Sequence, residues 1–350
     1  MSRRGERDAI RAFIIQEVQA HPVDIGRVVS ERFGISRQAA HYHLKQLVGK
    51  GVLKREGRTR NIRYELLAFE KHAAFPVSKQ TEEHQIWQEF AEPFLSGLRK
   101  NVLDICHYGF TEIVNNVVDH SESPRMLLTL KKSPDSVEIQ VRDIGIGIFR
   151  KIQEELNLEH QREAVFELSK GKLTTDELHH TGEGVFFTSR VFDKFSILSG
   201  ELFLTHRRDQ EDWLIEDRHD PMKGTSVSMQ IAPTSKQTLQ EVFDYYAVPQ
   251  DDYAFSRTRV VIKLAEQASG PLVSRSQAKR VLGRLSKFKE VLFDFTGIDA
   301  IGPAFADEIF RVYRTLHPGV ALVPLQMNNQ VRRMVERAVR HTPLSDDEPR

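Results

Sequence analysis

One helical stretch constrains the fold more than any other part of the sequence, because it combines an apolar face with a carboxylate, two amides and an imidazole. The stretch covers residues 111–121. At 3.6 residues per turn, Glu112, Asn116 and His120 fall on one stripe. The opposite stripe is apolar and contains Phe110, Ile113, Val114 and Val117. The apolar stripe can face a core and the polar stripe a pocket, although an amphipathic surface helix would show the same two faces.

The composition describes a globular protein of more than one domain. The chain has 350 residues, of which 40% are hydrophobic and 28% charged, and this length suggests two or three domains. No apolar run reaches the roughly 18 residues of a membrane span, and the first residues lack the apolar stretch of a secretion signal. We therefore expect a cytoplasmic protein without a membrane partner. Cys106 is the single cysteine, which excludes an internal disulfide and predicts a buried thiol.

Charge is distributed unevenly along the chain. The formal net charge is +1, but residues 1–65 contain 14 Lys and Arg against 7 Asp and Glu, and the remaining residues contain 36 against 42. The basic surplus is thus confined to the N-terminal part. Such a distribution is typical of a nucleic-acid-binding domain attached to a larger body.

The N-terminal part predicts three helices followed by a strand hairpin. Apolar spacing indicates helices at 8–20, 24–33 and 36–47, and Ser36 is a suitable N-cap for the third. Two short strands at 52–55 and 62–66 flank a basic hairpin tip. The second and third helices, joined by a short turn with Gly34, form a helix-turn-helix.

This arrangement resembles the winged helix-turn-helix of bacterial transcription regulators, and we assign it to residues 1–66. The resemblance implies that the third helix enters the major groove of double-stranded DNA and that the hairpin contacts the backbone. The residues facing DNA would be Ser36, Arg37, Gln38, His41, Tyr42 and His43 on the helix, with Arg58, Arg60 and Arg63 on the hairpin. Arginine and glutamine can contact base edges, and arginine can neutralise phosphates. A homodimer is expected, since such proteins often read paired half-sites; a protein-interaction module is the alternative.

Residues 67–84 lose periodicity and contain Pro76, so we expect a linker there. A change to period-two alternation then predicts antiparallel strands at 126–130 and 137–141. Further strands are expected at 195–198, 201–205, 212–215 and 225–231.

Three glycine motifs follow the polar helix. Asp143-Ile-Gly145-Ile-Gly147 stands at the end of a strand, Gly182-Glu183-Gly184 precedes a predicted helix, and Gly224-Thr225 precedes another strand. Glycine lets the backbone approach a ligand closely, and a helix start offers N–H groups to a phosphate. Taken alone, the first motif is also compatible with a tight turn.

The polar helix and these motifs together resemble the Bergerat-fold ATP-binding domain of gyrase B, MutL, histidine kinases and anti-sigma serine kinases, over residues 85–232. The resemblance implies an α/β sandwich with a mixed sheet and helices on one face. It further implies that Asn116 binds Mg²⁺, that Glu112 orients or deprotonates water, and that Asp143 accepts a hydrogen bond from adenine. Contacts to ATP would come from Gly145 and Gly147 at the base, Thr181, Gly182 and Gly184 at the phosphates, and Thr225 beside adenine. The lysine that a following domain supplies in hydrolysing relatives is not identifiable, and Lys170, Lys172 and Arg190 are candidates.

The C-terminal part predicts an α/β domain behind a connector at 233–257. Strands at 260–264, 291–295 and 321–325 alternate with helices at 274–287, 304–316 and 328–340. Residues 293–310 resemble the anti-sigma-factor antagonist fold and, more closely, a STAS-like domain, which we assign to 258–341. The antagonists' phosphorylated serine is absent here, because the place reads Gly302-Pro303-Ala304-Phe305. A disordered tail is expected at 342–350.

We therefore expect a multidomain α+β protein that acts as an ATP-responsive, DNA-binding transcriptional regulator. Mg-ATP binding, or slow hydrolysis by a weak ATPase, would change the domain arrangement, with residues 169–183 as the moving segment. One alternative is an anti-sigma-type serine/threonine kinase that acts on a separate protein through its STAS-like domain. Another is a scaffold that retains ATP for stability alone.

Overall fold

The computed structural model describes residues 3–58, 61–173, 182–208, 212–248 and 255–340. The protein has three parts, each with a sheet of its own: a two-stranded hairpin, a five-stranded sheet and a three-stranded sheet. No helix within the described ranges is both long enough and apolar enough to cross a membrane.

The N-terminal part has the elements that the sequence predicted. They are α1 (Arg3–Glu17), α2 (Ile25–Phe33), α3 (Arg37–Gly49), β1 (Leu53–Glu56) and β2 (Arg63–Leu66). Gly34 ends α2 in a left-handed conformation, and the Ser36 hydroxyl accepts a hydrogen bond from the Ala39 N–H at 3.2 Å. β1 and β2 are antiparallel. Ile14, Leu44 and the other buried side chains of this part form a hydrophobic core of its own.

The expected linker at 67–84 is wrong in its first half, because β3 (Phe69–Pro76) is a strand of the central sheet and pairs with the strand at 125–132. Its inward positions include the polar Lys71 beside Ala73 and Phe75, so the alternation is hidden in the sequence. The Lys71 ammonium is accommodated by the carbonyl of Phe90 at 3.0 Å. Pro76 is tolerated because it stands at the end of an edge strand.

The central part contains helices and strands in alternating groups. They are α4 (Glu83–Ile86), a π-helical turn (Trp87–Ala91), α5 (Glu92–Leu95), α6 (Lys100–His120), β4 (Arg125–Lys132), β5 (Val137–Asp143), α7 (Ile148–Glu155), α8 (Gln161–Lys170), α9 (Gly184–Val191), β6 (Lys194–Arg207) and β7 (Asp212–Ile231). The sequence predicted four strands between residues 195 and 231, but the structure has two long ones. β6 and β7 each continue past an irregularity in their pairing near Gly200.

The central sheet has the order β3-β4-β5-β7-β6, and every neighbouring pair is antiparallel. The expectation of a mixed sheet is therefore wrong, since hairpins join β4 to β5 and β6 to β7, and β7 returns alongside β5. One face buries Leu128, Val141 and Val227 under the helices. The other face is polar, and there the Gln140 amide donates a hydrogen bond to Ser226 Oγ at 3.1 Å.

The C-terminal part is an α/β layer, as predicted. Its elements are α10 (Leu239–Tyr246), β8 (Arg257–Val261), α11 (Ile262–Ser269), α12 (Arg275–Leu282), a 3₁₀ turn (Leu285–Lys287), β9 (Glu290–Asp294), α13 (Pro303–Asp307), a π-helical turn (Glu308–Tyr313), α14 (Arg314–Leu316), β10 (Ala321–Leu325) and α15 (Asn329–Arg340). The strands are parallel in the order β10-β9-β8. The strand expected at 260–264 ends at Val261, because a continuously buried run does not distinguish strand from helix. The expected tail lies outside the described residues.

The central and C-terminal parts share one continuous hydrophobic core. Aromatic rings cross from one part to the other: Phe186 of α9 lies 4.5 Å from Phe255, and Phe255 lies 5.2 Å from Phe288, measured between ring centroids. Both parts therefore pack as a single unit around α8 and α9.

Candidate functional site

A cavity of about 330 Å³ lies between α6, α7, α9 and the ends of β5 and β7. Seven of the predicted ligand-binding residues line it: Glu112, Asn116, Asp143, Gly147, Gly182, Gly184 and Thr225. Gly145 is adjacent but not in the wall, and Thr181 lies outside the described residues. The fold thus brings four distant parts of the sequence to one cavity.

α6 presents its polar stripe to the cavity because its apolar stripe is buried against the sheet. Ile113 and Val114 are buried, whereas Glu112, Asn116 and His120 line the cavity. The Asn116 side-chain nitrogen is buried and has no hydrogen-bond partner among the described residues. The unused N–H donor fits a ligand that carries an acceptor, and the oxygen of such an amide is of the type that binds Mg²⁺.

Asp143 is a fixed, buried acceptor at the end of β5. Its side chain is buried, Oδ1 accepts a hydrogen bond from the Gly145 N–H at 2.7 Å, and the Thr225 backbone N–H also donates to the carboxylate. Burial raises the pKa of the Asp143 carboxyl, and these two N–H groups oppose the rise. Thr225 Oγ1 in turn accepts from the Ile148 N–H at 2.9 Å. Thr225 therefore holds both the carboxylate and the first turn of α7.

Two glycines allow the backbone to come close where a side chain would collide. A Cβ on Gly184 would lie 1.9 Å from Glu112 Oε2, so the start of α9 lies directly against the Glu112 carboxylate. A Cβ on Gly145 would lie 1.8 Å from the Ser121 carbonyl oxygen, so this glycine packs the loop against the end of α6. Gly145 thus supports the site without lining it.

A second carboxylate lies near Glu112. Glu183 lines the cavity at the start of α9, and both carboxylates add to the effect of burial in raising the pKa of the Tyr108 phenol. In the motif Gly182-Glu183-Gly184, roles were predicted for the two glycines and none for Glu183. Its position before a helix that starts at the cavity was the available signal.

The three proposed phosphate-binding cations have other partners. Lys170 is fully buried and bonds to Glu167 and to two carbonyls of the C-terminal part. Lys172 donates to the Lys287 carbonyl at 3.0 Å, and Arg190 donates to Tyr246 Oη at 3.1 Å. None of the three lines the cavity. The structure removes them from the candidate site because they join the two parts of the shared core.

Lys151 of α7 lines the cavity instead and was missed. It follows Gly147 by one helical turn, a spacing that points it back toward the glycine loop. Its ammonium lies 3.6 Å from Glu122, just after α6 ends. Eight residues of helical rise separate Glu112 from His120, where α6 ends, roughly 12 Å. The Lys151 ammonium thus lies near the end of α6.

A larger cleft of about 750 Å³ opens between β6, α10 and β8. Two arginines in its wall are paired: Arg208 with Asp193, which also lines the cleft, and Arg259 with Asp294, which lies behind the wall. Among the described residues of its wall, Arg190 alone was a candidate ATP ligand, and its guanidinium is bonded to Tyr246 Oη. We therefore assign the ligand chemistry to the smaller cavity.

The N-terminal surface keeps most of the predicted DNA-facing residues accessible. The exposed ones are Ser36, Arg37, Gln38, His41, Tyr42, Arg58 and Arg63; Arg60 lies outside the described residues. The side chain of Arg63 is paired with Glu65 at 2.8 Å.

His43 is a correction to that set. It is 6% exposed and shares the inner face of α3 with Ala40, Leu44 and Leu47, a core spacing of three and four residues. Burial lowers the pKa of His43, and the positive charges of Arg11 and Arg7 lower it further. His43 therefore belongs to the domain core.

Residues 277–332 match the family described as "STAS-like domain of unknown function (DUF4325)". The prediction of a C-terminal STAS-like domain is confirmed for this segment. No curated protein matches the chain. The resemblances of the N-terminal and central parts stay predictions.

Proposed function

We propose that the protein is a DNA-binding transcriptional regulator whose affinity for DNA depends on Mg-ATP in the central cavity. The observation that carries this proposal is the convergence of Glu112, Asn116, Asp143, Gly182 and Gly184 on one cavity. Its volume of about 330 Å³ falls within the range of small-molecule sites, roughly 300–1,000 Å³. N-terminal to it stands a basic domain with an exposed helix and hairpin.

The cavity residues fit the parts of Mg-ATP. Asp143 is held as an acceptor, so it would bind the adenine amino group and disfavour guanine, whose carbonyl would oppose the carboxylate. Asn116 would give an oxygen to Mg²⁺, which neutralises phosphate charge when bound. The first N–H groups of α9, which begins at Gly184, would bind phosphate oxygens.

Glu112 is the group that can support hydrolysis. Its carboxylate lies against the start of α9, where a terminal phosphate would be held, and from there it can orient or deprotonate water. Lys151 lines the same cavity, and its ammonium lies 3.6 Å from Glu122 and 3.9 Å from Glu155, two carboxylates that compete with a phosphate for it. This arrangement favours slow turnover, and Glu112→Ala should abolish phosphate release while leaving ATP binding in place.

The direct test measures DNA affinity at one fixed salt concentration, with and without Mg-ATP. We expect a shift of at least about fivefold, the lower end of typical coupling between sites. Asn116→Ala should retain DNA binding and lose the shift. Equal affinities with and without Mg-ATP in the unaltered protein would contradict the proposal. Because salt changes phosphate contacts, both measurements need the same ionic strength.

The match to a STAS-like family favours a second candidate, a serine/threonine kinase of the anti-sigma type that acts on another protein. The same cavity would hold its ATP. Labelled ATP distinguishes the two, because transfer of label to a protein supports the kinase, whereas release of phosphate alone supports the ATPase. Binding with neither outcome supports a scaffold.

A further inference from the structure

The C-terminal end of α8 is capped by side chains of the C-terminal domain. The last carbonyls of a helix have no partner within the helix and need one from elsewhere. Thr258 Oγ1, on β8, donates to the Lys170 carbonyl at 2.6 Å. Arg284 Nη2 donates to the Glu167 carbonyl at 3.1 Å and to the Gly171 carbonyl at 3.2 Å. Donors more than 80 residues away in sequence thus terminate this helix.

Lys170 strengthens the same junction. Its ammonium is fully buried and donates to Glu167 Oε1 at 2.6 Å, the Arg280 carbonyl at 3.1 Å and the Gly283 carbonyl at 3.2 Å. All three of its donors are therefore used. The other Glu167 oxygen lies 3.1 Å from Arg284 Nε. We call Glu167, Lys170, Thr258 and Arg284 the α8 cap.

The capped segment leads directly into the cavity wall. Leu168, inside the cap, and Leu173, three residues after Lys170, both line the cavity. The Leu173 N–H donates to the Gly182 carbonyl at 3.2 Å. Gly182 is followed by the start of α9, which lies against Glu112. The α8 cap therefore holds in place the segment from Leu168 to Leu173, and this segment in turn holds the glycine motif at the start of α9.

The geometry points to Thr258 and Arg284 as positioning residues for the nucleotide cavity, through which the C-terminal domain sets its affinity for Mg-ATP. This inference rests on the proposed function. With the cap in place, the wall is ordered before the ligand arrives; without it, binding must bring about that ordering and is weaker. Because coupling is reciprocal, a protein that draws the C-terminal domain away from α8 would release ATP.

The test titrates the full-length Thr258→Val variant with Mg-ATP. This substitution keeps the side-chain volume and removes the donor to the Lys170 carbonyl. We expect binding about fivefold weaker, the lower end of typical coupling, and affinity near that of the unaltered protein for Thr258→Ser, which keeps the hydroxyl. Ser274→Ala is the matched control, because it removes a helix-capping hydroxyl from the same domain, at the start of α12. It should leave ATP affinity unchanged.

Arg284→Gln provides a second variant, with Arg311→Gln as its control, since Arg311 pairs with Asp307 within the C-terminal domain. Hydrogen exchange of the 168–173 amides should rise in Thr258→Val and Arg284→Gln only. Faster exchange with unchanged ATP affinity would overturn the inference and leave the proposed function intact. Equal weakening in variants and controls would also overturn it. Absence of ATP binding by the unaltered protein would refute the proposed function itself.

Discussion

The N-terminal and C-terminal domains differ in how they are joined to the central domain. The N-terminal domain closes a core around Ile14 and Leu44 that is separate from the rest. The C-terminal domain has no such separation, because Phe255 packs on Phe186 of α9 and side chains of the C-terminal domain bond to the last carbonyls of α8. The C-terminal domain is therefore placed to change the cavity directly, whereas the N-terminal domain reaches the central domain through its chain connection and an exposed hydrogen bond from the Gln19 amide to Asp135 at 3.4 Å.

That connection is short. β2 ends at Leu66 and β3, the edge of the central sheet, begins at Phe69. Two residues cannot act as a flexible tether, so the hairpin that would touch DNA is attached to the sheet that forms the cavity floor. The edge strand β3 is therefore the covalent connection between the N-terminal domain and the sheet that lines the cavity.

The largest expected effects distinguish the N-terminal core from the core that the central and C-terminal domains share. Phe186→Ala removes a buried ring shared by the central and C-terminal domains, and Ile14→Ala removes a buried side chain from the N-terminal core. Each should cost about 2–5 kcal/mol of the free energy of unfolding of the unit that contains it. In differential scanning calorimetry, Phe186→Ala should lower the unfolding temperature of the unit formed by the central and C-terminal domains and leave that of the N-terminal domain unchanged. Ile14→Ala should do the reverse. One transition that shifts equally in both variants would contradict separate cores.

A smaller effect concerns pH. Burial lowers the pKa of His43, so on acidification this ring takes up its proton in the unfolded chain, around pH 6.5, before it does so in the folded N-terminal domain. The resulting stability is present above about pH 6.5 and is lost as the pH falls toward the lowered pKa of His43. The N-terminal transition should weaken in this window, and the transition of the other unit should weaken there too, because burial also lowers the pKa of His107 on α6.

His43→Gln should remove the pH dependence of the N-terminal transition, and the exposed His41→Gln should keep it. Thermal unfolding followed at several pH values between 5 and 8 is the measurement. An unchanged pH profile in His43→Gln would show that another group is responsible.

Local patterns predicted much of this molecule. Ser36 marked the start of α3, alternation marked β4 and β5, and the glycines marked the points where backbone approaches the cavity. The polar stripe of α6 identified Glu112 and Asn116 because hiding such groups is costly without a function. These signals depend on neighbours within one element, which the sequence shows directly.

Contacts between distant elements were not predictable. Lys170, Lys172 and Arg190 suggested phosphate ligands by charge and position, but their partners come from residues 246–287, which no local pattern brings near α8. β3 was missed because an edge strand with an inward lysine hides its alternation. His43 was misplaced because a polar residue at a core spacing was assigned by its chemistry rather than by its helical face.

The most direct test of the account is isothermal titration of the full-length protein and of Asn116→Ala with Mg-ATP. We predict saturable binding by the unaltered protein and at least about tenfold weaker binding by Asn116→Ala, equivalent to about 1.4 kcal/mol. We also predict that Mg-GTP does not compete, because Asp143 opposes the guanine carbonyl. Equal affinity in both proteins, or no binding by either, would contradict the assignment of the cavity to Mg-ATP.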